Sequence, residues 1–250
     1  MTILTLQDTR LEVRERSFRL RPHNLTSRGL FSQAISPYGP VDQRWVAELT
    51  YPPQEEADWR YWDGFLAGRD GMTGKLRAYD PARRQPRYNS VVTTTTENWD
   101  DATTWDDGTG WESGTLPPYV SAGEAAQRGE TDLLLQFPGP SNDSPPVSGY
   151  ESLSAVLRSG DLFEIRPNGV PADYGHLYVV TGTGNTDASG QTRVTFRPGL
   201  RAGVAAGDMV VLTDPMTVFR VASDDVGDMT VDAAQHAALG LSLIEVLPES

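Results

Sequence analysis

Histidine is the side chain best suited to proton transfer and metal ligation near neutral pH, and this sequence has three, His23, His176 and His236. They stand far apart, without the H-x-x-x-H or H-x-E spacing that lets one short segment present two groups to a metal. Each fits a plain structural place: a loop, a strand face, and a helical or loop segment. The chain has no cysteine, which removes thiolate metal sites, disulfides and cysteine nucleophiles together. No G-x-S-x-G elbow occurs, so a serine hydrolase has no marked nucleophile. GTGNTDASG at 182–190 carries the glycines of a phosphate loop but lacks the Gly-Lys-Ser/Thr ending and a following helix. Between two alternating apolar stretches it reads as a hairpin turn.

Carboxylates offer two further chemistries. Asp106-Asp107-Gly108-Thr109-Gly110 could give calcium some of its oxygen ligands, yet it lacks the alternation and distal Glu of an EF-hand loop. A solvated acidic turn is the simpler reading. Spacing nominates no pair for glycoside hydrolysis, because such carboxylates meet only in the folded chain. The same stretch repeats W-D-D-x-T-x, placing Trp99, Trp105 and Trp111 six residues apart. Exposed indoles beside Asp can stack on pyranose rings, but Trp more commonly anchors a core or an interface. The expectation is a non-enzyme with no catalytic residue, no metal and no cofactor. Trp99, Trp105 and Trp111 are its candidate glycan or interface aromatics.

Charge bears on partners. The net charge is −13, from 21 Lys and Arg against 34 Asp and Glu. An acidic surface repels a phosphate backbone, so direct sequence-specific nucleic-acid binding is not expected. The basic residues concentrate in 1–88 and acid dominates afterwards, as at Asp100, Asp101, Asp106 and Asp107. Such polarity suits head-to-tail stacking on an oppositely charged neighbour, or simply two differently charged solvated faces. The opening MTILTLQDTRLEVRERSF alternates apolar and polar residues and has no apolar signal-like run, and no stretch is long enough to span a membrane. The reading is a soluble protein made inside a cell, with no membrane partner.

The elements that must position these residues are mostly strands. Gly (24) and Pro (18) are plentiful and the hydrophobic fraction is 38%, which favours short strands with many turns. Period-two alternation predicts strands within 3–20, at 44–51 and at 75–79. One helix is predicted after Pro52 and Pro53, where Gln54, Glu55 and Glu56 place acid near the positive end of the dipole. Its stripe of Trp59, Trp62, Phe65 and Leu66 should be core, with Gly68 and Gly71 at its end. Polar residues 89–150 read as a connecting segment holding one buried strand, Leu133–Phe137. Within 151–213, five short strands are separated by turns at Ser159-Gly160, Ser189-Gly190 and Ala206-Gly207, which suggests a small barrel or sandwich. Strands at 217–221 and 239–247 follow, the last apolar enough to insert inside a sheet.

Two passages resemble a known family. ADWRYWDGFLAGRDGMTGKLRAYDPARRQPR (57–87) is similar to the helix-to-strand passage of tail-tip proteins of long-tailed bacteriophages. SGDLFEIRPNG (159–169) and HLYVVTGTGNTDASGQTRVTFRPGLRAGVAAGDMVVLTDPMTVFRVA (176–222) resemble the C-terminal module of the same proteins, and TWDDGTGW resembles their repeats. The resemblance implies a distal tail protein or a closely related minor tail protein. It would form a ring, typically hexameric, that joins the tail tube protein to the baseplate hub and the receptor-binding apparatus. The implied location is the virion tail tip, assembled in the host cytoplasm, and DNA may pass through the ring. The expected fold is mainly β. Residues 1–88 with 214–250 form a ring-forming domain of sheet and one helix, 89–150 connect, and 151–213 form a small barrel-like module. Arg83, Arg84 and Arg87 are candidates for intersubunit contacts. A carbohydrate- or receptor-binding tail protein using the Trp run is the alternative.

Overall fold

Short strands with turn formers between them can bury an apolar face by stacking sheets, by curling one, or by closing it. This chain uses the last two. A computed structural model describes residues 4–5, 15–22, 24–28, 35–40, 43–68, 73–87, 119–137, 156–167, 175–182, 184–187, 189–223, 230–231, 236–238 and 240–247. They fall in two compact units. One takes residues 1–82, 171–176 and 216–250, and the other 83–170 and 177–215.

The first unit is built on a six-stranded sheet. In chain order its strands are β1 (Leu4–Thr5), β2 (Glu15–Arg21), β5 (Arg44–Thr50), β6 (Lys75–Tyr79), β13 (Met216–Val221) and β16 (Gly240–Glu245). The spatial order is β1-β6-β13-β16-β5-β2. All pairings are antiparallel except β1 with β6. The apolar terminal strand β16 does sit inside the sheet, paired on both sides. Two hairpin-like pairs, β3 (Asn24–Arg28) with β4 (Ile35–Pro40) and β14 (Thr230–Val231) with β15 (Ala237–Ala238), stand apart from it.

Residues directly opposite one another share a face. One face is the core, carrying Phe18, Trp45, Ala47, Leu243, Phe219 and Leu76, all buried. The rings of Phe18 and Phe219 lie 5.5 Å apart although two strands separate their own. In a flat sheet three strand spacings would be about 14 Å, so the sheet curls towards this face and makes it concave. The carboxylate of Glu245 is also fully buried here and accepts the Trp45 backbone N–H at 3.0 Å.

The helix α1 (Glu56–Ala67) starts after an extended Glu55, with Glu56 and Asp58 in its first turn. It ends at Gly68, whose φ of −74° is ordinary, so this glycine is not a left-handed cap. Of the expected core stripe, Trp62 is buried at 3%, against Tyr51 with ring centroids 5.3 Å apart. Trp59, Phe65 and Leu66 are half-buried. Trp59 faces out far enough to take the Arg60 guanidinium 5.6 Å above its ring. Burial, with the neighbouring Tyr79 as a lesser cause, raises the pKa of the Tyr51 hydroxyl well above its ordinary value.

The second unit is a closed barrel of β7 (Tyr119–Ala122), β8 (Asp132–Gln136), β9 (Leu162–Arg166), β10 (His176–Val180), β11 (Gln191–Arg197) and β12 (Met209–Val211). Going around, the order is β10-β11-β8-β7-β12-β9. Its interior is filled with side chains, as a barrel this small requires. Phe163, Tyr178 and Phe196 form a triad with centroids 5.2–5.5 Å apart. The barrel therefore takes in β8, where a buried strand is expected at Leu133–Phe137, and also β7, from a stretch otherwise expected to be a connection. β7 is four residues long, too short for its alternation to stand out, and its partner β12 is remote in sequence.

Three barrel strands are launched by the same turn. Gln127-Arg128-Gly129-Glu130, Arg158-Ser159-Gly160-Asp161 and Ala205-Ala206-Gly207-Asp208 each return the acidic residue's N–H to the first residue's carbonyl, at 2.9–3.2 Å. The glycines have φ of +94°, +96° and +90°, where a Cβ would be strained. Asp161 and Asp208 add a reciprocal bond, each carboxylate accepting the N–H of the first turn residue at 2.8 Å.

Candidate assembly surfaces

Among the described residues, the side chains nominated by the sequence do not converge on one reaction centre. His176 is half-buried on β10, His236 is half-buried just before β15, and His23 lies outside the described residues. Among the described residues, no three His, Asp or Glu side chains gather as a metal set. GTGNTDASG forms the connection of the β10–β11 hairpin, closed where Asp187 accepts the N–H groups of Ser189 and Gln191 at 2.8 and 2.9 Å. Trp99, Trp105, Trp111 and the Asp106–Gly110 turn lie outside the described residues.

Arg83, Arg84 and Arg87 lie close together in the barrel unit and are engaged within it. Arg84 makes a bidentate pair with Asp214 at 2.7 and 3.0 Å, and its carbonyl accepts the Asp214 N–H at 2.7 Å. Asp214 has a left-handed φ of +50°, a conformation Asp tolerates better than most residues. Arg87 donates to Asp161 at 3.0 Å and to the Ser159 carbonyl, while Arg83 reaches the Gly160 carbonyl at 3.4 Å. The segment thus straps the Asp161 turn. The side chains of Arg84 and Arg87 stay 57% and 58% exposed, so these bonds leave room for other contacts.

The barrel's outer wall is polar and self-paired. On β8 and β11, Gln136 accepts from Gln191 at 2.7 Å, and Arg193 reaches both Asp132 and Glu124. Those hydrogen bonds raise the pKa of the Arg193 guanidinium, first through Glu124 and then through Asp132. On β9, Glu164 is wholly buried and holds Arg166 in two hydrogen bonds of 2.6 and 3.0 Å. That bond to Glu164 raises the Arg166 pKa against the opposing effect of burial.

The sheet presents two kinds of surface that the barrel does not. Among the described residues β1 and β2 are its outer strands, and β2 runs seven residues with one side paired to β5. Each outer strand turns a row of backbone donors and acceptors away from the sheet. The second surface is the face opposite the core. One row across it reads Arg19, Val46, Ile244, Arg220 and Lys75, each opposite the next. Sequence reading missed this row, because its members are adjacent only through the register of five strands.

No protein-family model matches the chain, and no curated protein matches it.

Proposed function

We propose that this chain is a structural subunit of a bacteriophage tail tip. It forms a ring at the distal end of the tail tube and links the tube to the hub and the receptor-binding apparatus. The observation that carries this reading is the open sheet, in which the seven-residue β2 is an outer strand among the described residues. Strand-to-strand pairing across such an edge is a direct way to join copies, and repeating one heterologous contact closes a ring when the rotation allows. The barrel, with no edge of its own, is the part suited to hold a neighbour without polymerising through its backbone. Arg84 and Arg87 belong to this proposal as contacts to adjoining subunits, by virtue of their exposure.

Negative-stain imaging of the purified protein tests the reading. Rings of uniform diameter with six-fold symmetry are expected, and a monomer at every concentration overturns the self-assembling subunit. The alternative, a carbohydrate-binding tail protein, rests on Trp99, Trp105 and Trp111. Loss of glycan-array binding in a triple Trp→Ala variant that still assembles would favour it.

A further inference from the structure

The convex face of the six-stranded sheet has the composition of an interface, in a protein whose overall charge is opposite to that face. Its first row places Arg19 and Lys75 at the ends, with Arg220 between Ile244 and Lys75. Beside it, Arg21 stands opposite Arg44 on the β2 side, and Val218 stands opposite Arg77 on the β6 side. Val246, two residues beyond Ile244, lies on this same face. These two rows hold six basic residues and four aliphatic ones, and no acid. Arg19, Arg21, Lys75 and Arg220 are exposed and form its accessible charge, Arg44, Ile244 and Val246 are half-buried, and Arg77, Val46 and Val218 are buried at 7%, 8% and 7% exposure. The acid on the next row, Glu48, meets Arg19 only at 3.7 Å with both side chains more than half exposed, too loosely to neutralise Arg19.

An aliphatic centre within a rim of Arg and Lys is the anatomy of a protein-docking surface. A phosphate backbone would be served by charge alone and gains nothing from the half-buried Ile244 and Val246. The occupant must therefore be acidic and partly apolar. The chain has a net charge of −13 with these basic residues included, so its surface elsewhere is more acidic still. We infer that the convex face docks the acidic surface of a second copy of this chain, a heterologous contact separate from edge pairing through β2. The occupant rests on the ring-subunit reading; the composition of the face does not. The same chemistry recurs in the sequence at 97–112, which combines six acids and three Trp with no basic residue.

The test is sedimentation velocity of the full chain, wild type against Arg19→Glu/Lys75→Glu/Arg220→Glu, from about 0.05 M to about 0.5 M salt. A milder Arg19→Gln/Lys75→Gln/Arg220→Gln variant and a circular-dichroism melt guard against misfolding. The wild type should show an association step weakened about tenfold or more by salt. That step should be absent in the Glu variant and reduced in the Gln variant, while any salt-insensitive ring persists. Rings in the wild type and both variants with identical salt dependence would overturn the inference and leave the ring reading standing. A wild type that stays monomeric would sink both. Salt-sensitive binding of a duplex oligonucleotide that the Glu variant loses, with self-association unchanged, would assign the face to nucleic acid and overturn the second-copy occupant.

Discussion

The barrel and the six-stranded sheet are made from strands of similar length, and they solve the problem of the sheet edge in opposite ways. The barrel pairs every strand with two neighbours, fills its interior with Phe163, Tyr178, Phe196 and aliphatic residues, and covers much of its outer wall with side chains bonded to one another. The sheet has as large an aromatic core at Phe18, Trp45 and Phe219, but among the described residues it ends at β1 and β2, and its other face carries exposed Arg19, Arg21, Lys75 and Arg220. Closure leaves a module with no strand edge to offer a neighbour. An open edge gives a module whose backbone hydrogen bonding continues into a neighbour. The difference matters for the proposed ring, which would need one surface that propagates and another that does not.

The contrast can be broken most sharply at the barrel core. Phe163→Ala should cost about 3–5 kcal/mol, read as a lowered denaturant midpoint, with hydrogen exchange rising through the barrel and not in β5 or β16. Equal loss of protection in the sheet would mean that the two units unfold as one. Next come two glycines that look alike in sequence. Gly160→Ala forces a Cβ onto a residue at φ +96° and should cost about 1–2 kcal/mol. Gly68→Ala, at φ −74°, should change stability by no more than about 0.5 kcal/mol. Similar losses at both would remove the distinction between the barrel's left-handed turns and the helix end.

Alkaline pH reads the sheet unit through Tyr51. Its folded pKa is raised, so its contribution to stability is complete below the unfolded value of about 10 and is lost as pH rises above it. Thermal melts should therefore fall in temperature above that pH, and Tyr51→Phe should shrink the fall; an unchanged slope would count against the burial assigned to Tyr51. The smallest effect is expected at the Arg84–Asp214 pair. Its partners are 57% and 26% exposed, so Arg84→Ala should cost less than about 1 kcal/mol in monomer stability. A large loss of assembly from that variant, with stability intact, would place Arg84 at an intersubunit contact.

Much of this architecture is legible in local pattern. RWVAELT, KLRAY and TVFRV alternate visibly, and the strands they predict at 44–51, 75–79 and 217–221 are found at Arg44–Thr50, Lys75–Tyr79 and Met216–Val221. The Pro-Pro and acidic start of the helix and the Gly turns at 160, 190 and 207 are equally local signals. What local pattern does not carry is partnership. The short β7 becomes recognisable only beside β12, and the glycine-acid launch turn only when its three copies, two Gly-Asp and one Gly-Glu, are superposed in the barrel. The convex basic row exists because Arg220 falls opposite both Ile244 and Lys75, a register set by core packing on the other face. The single helix stripe was over-read for the same reason. Spacing makes Trp59, Trp62, Phe65 and Leu66 a stripe, but contact with Tyr51 decides that Trp62 alone among them is deeply buried.

The most direct measurement of the central claim is hydrogen exchange of β2 as a function of protein concentration, with the barrel as internal reference. Pairing of β2 with another copy should slow exchange at amides of Glu15–Arg21 as the protein assembles, leaving β8, β9 and β11 unchanged. Assembly that leaves the β2 amides as fast as in the monomer would contradict the open sheet as the element that joins the subunits.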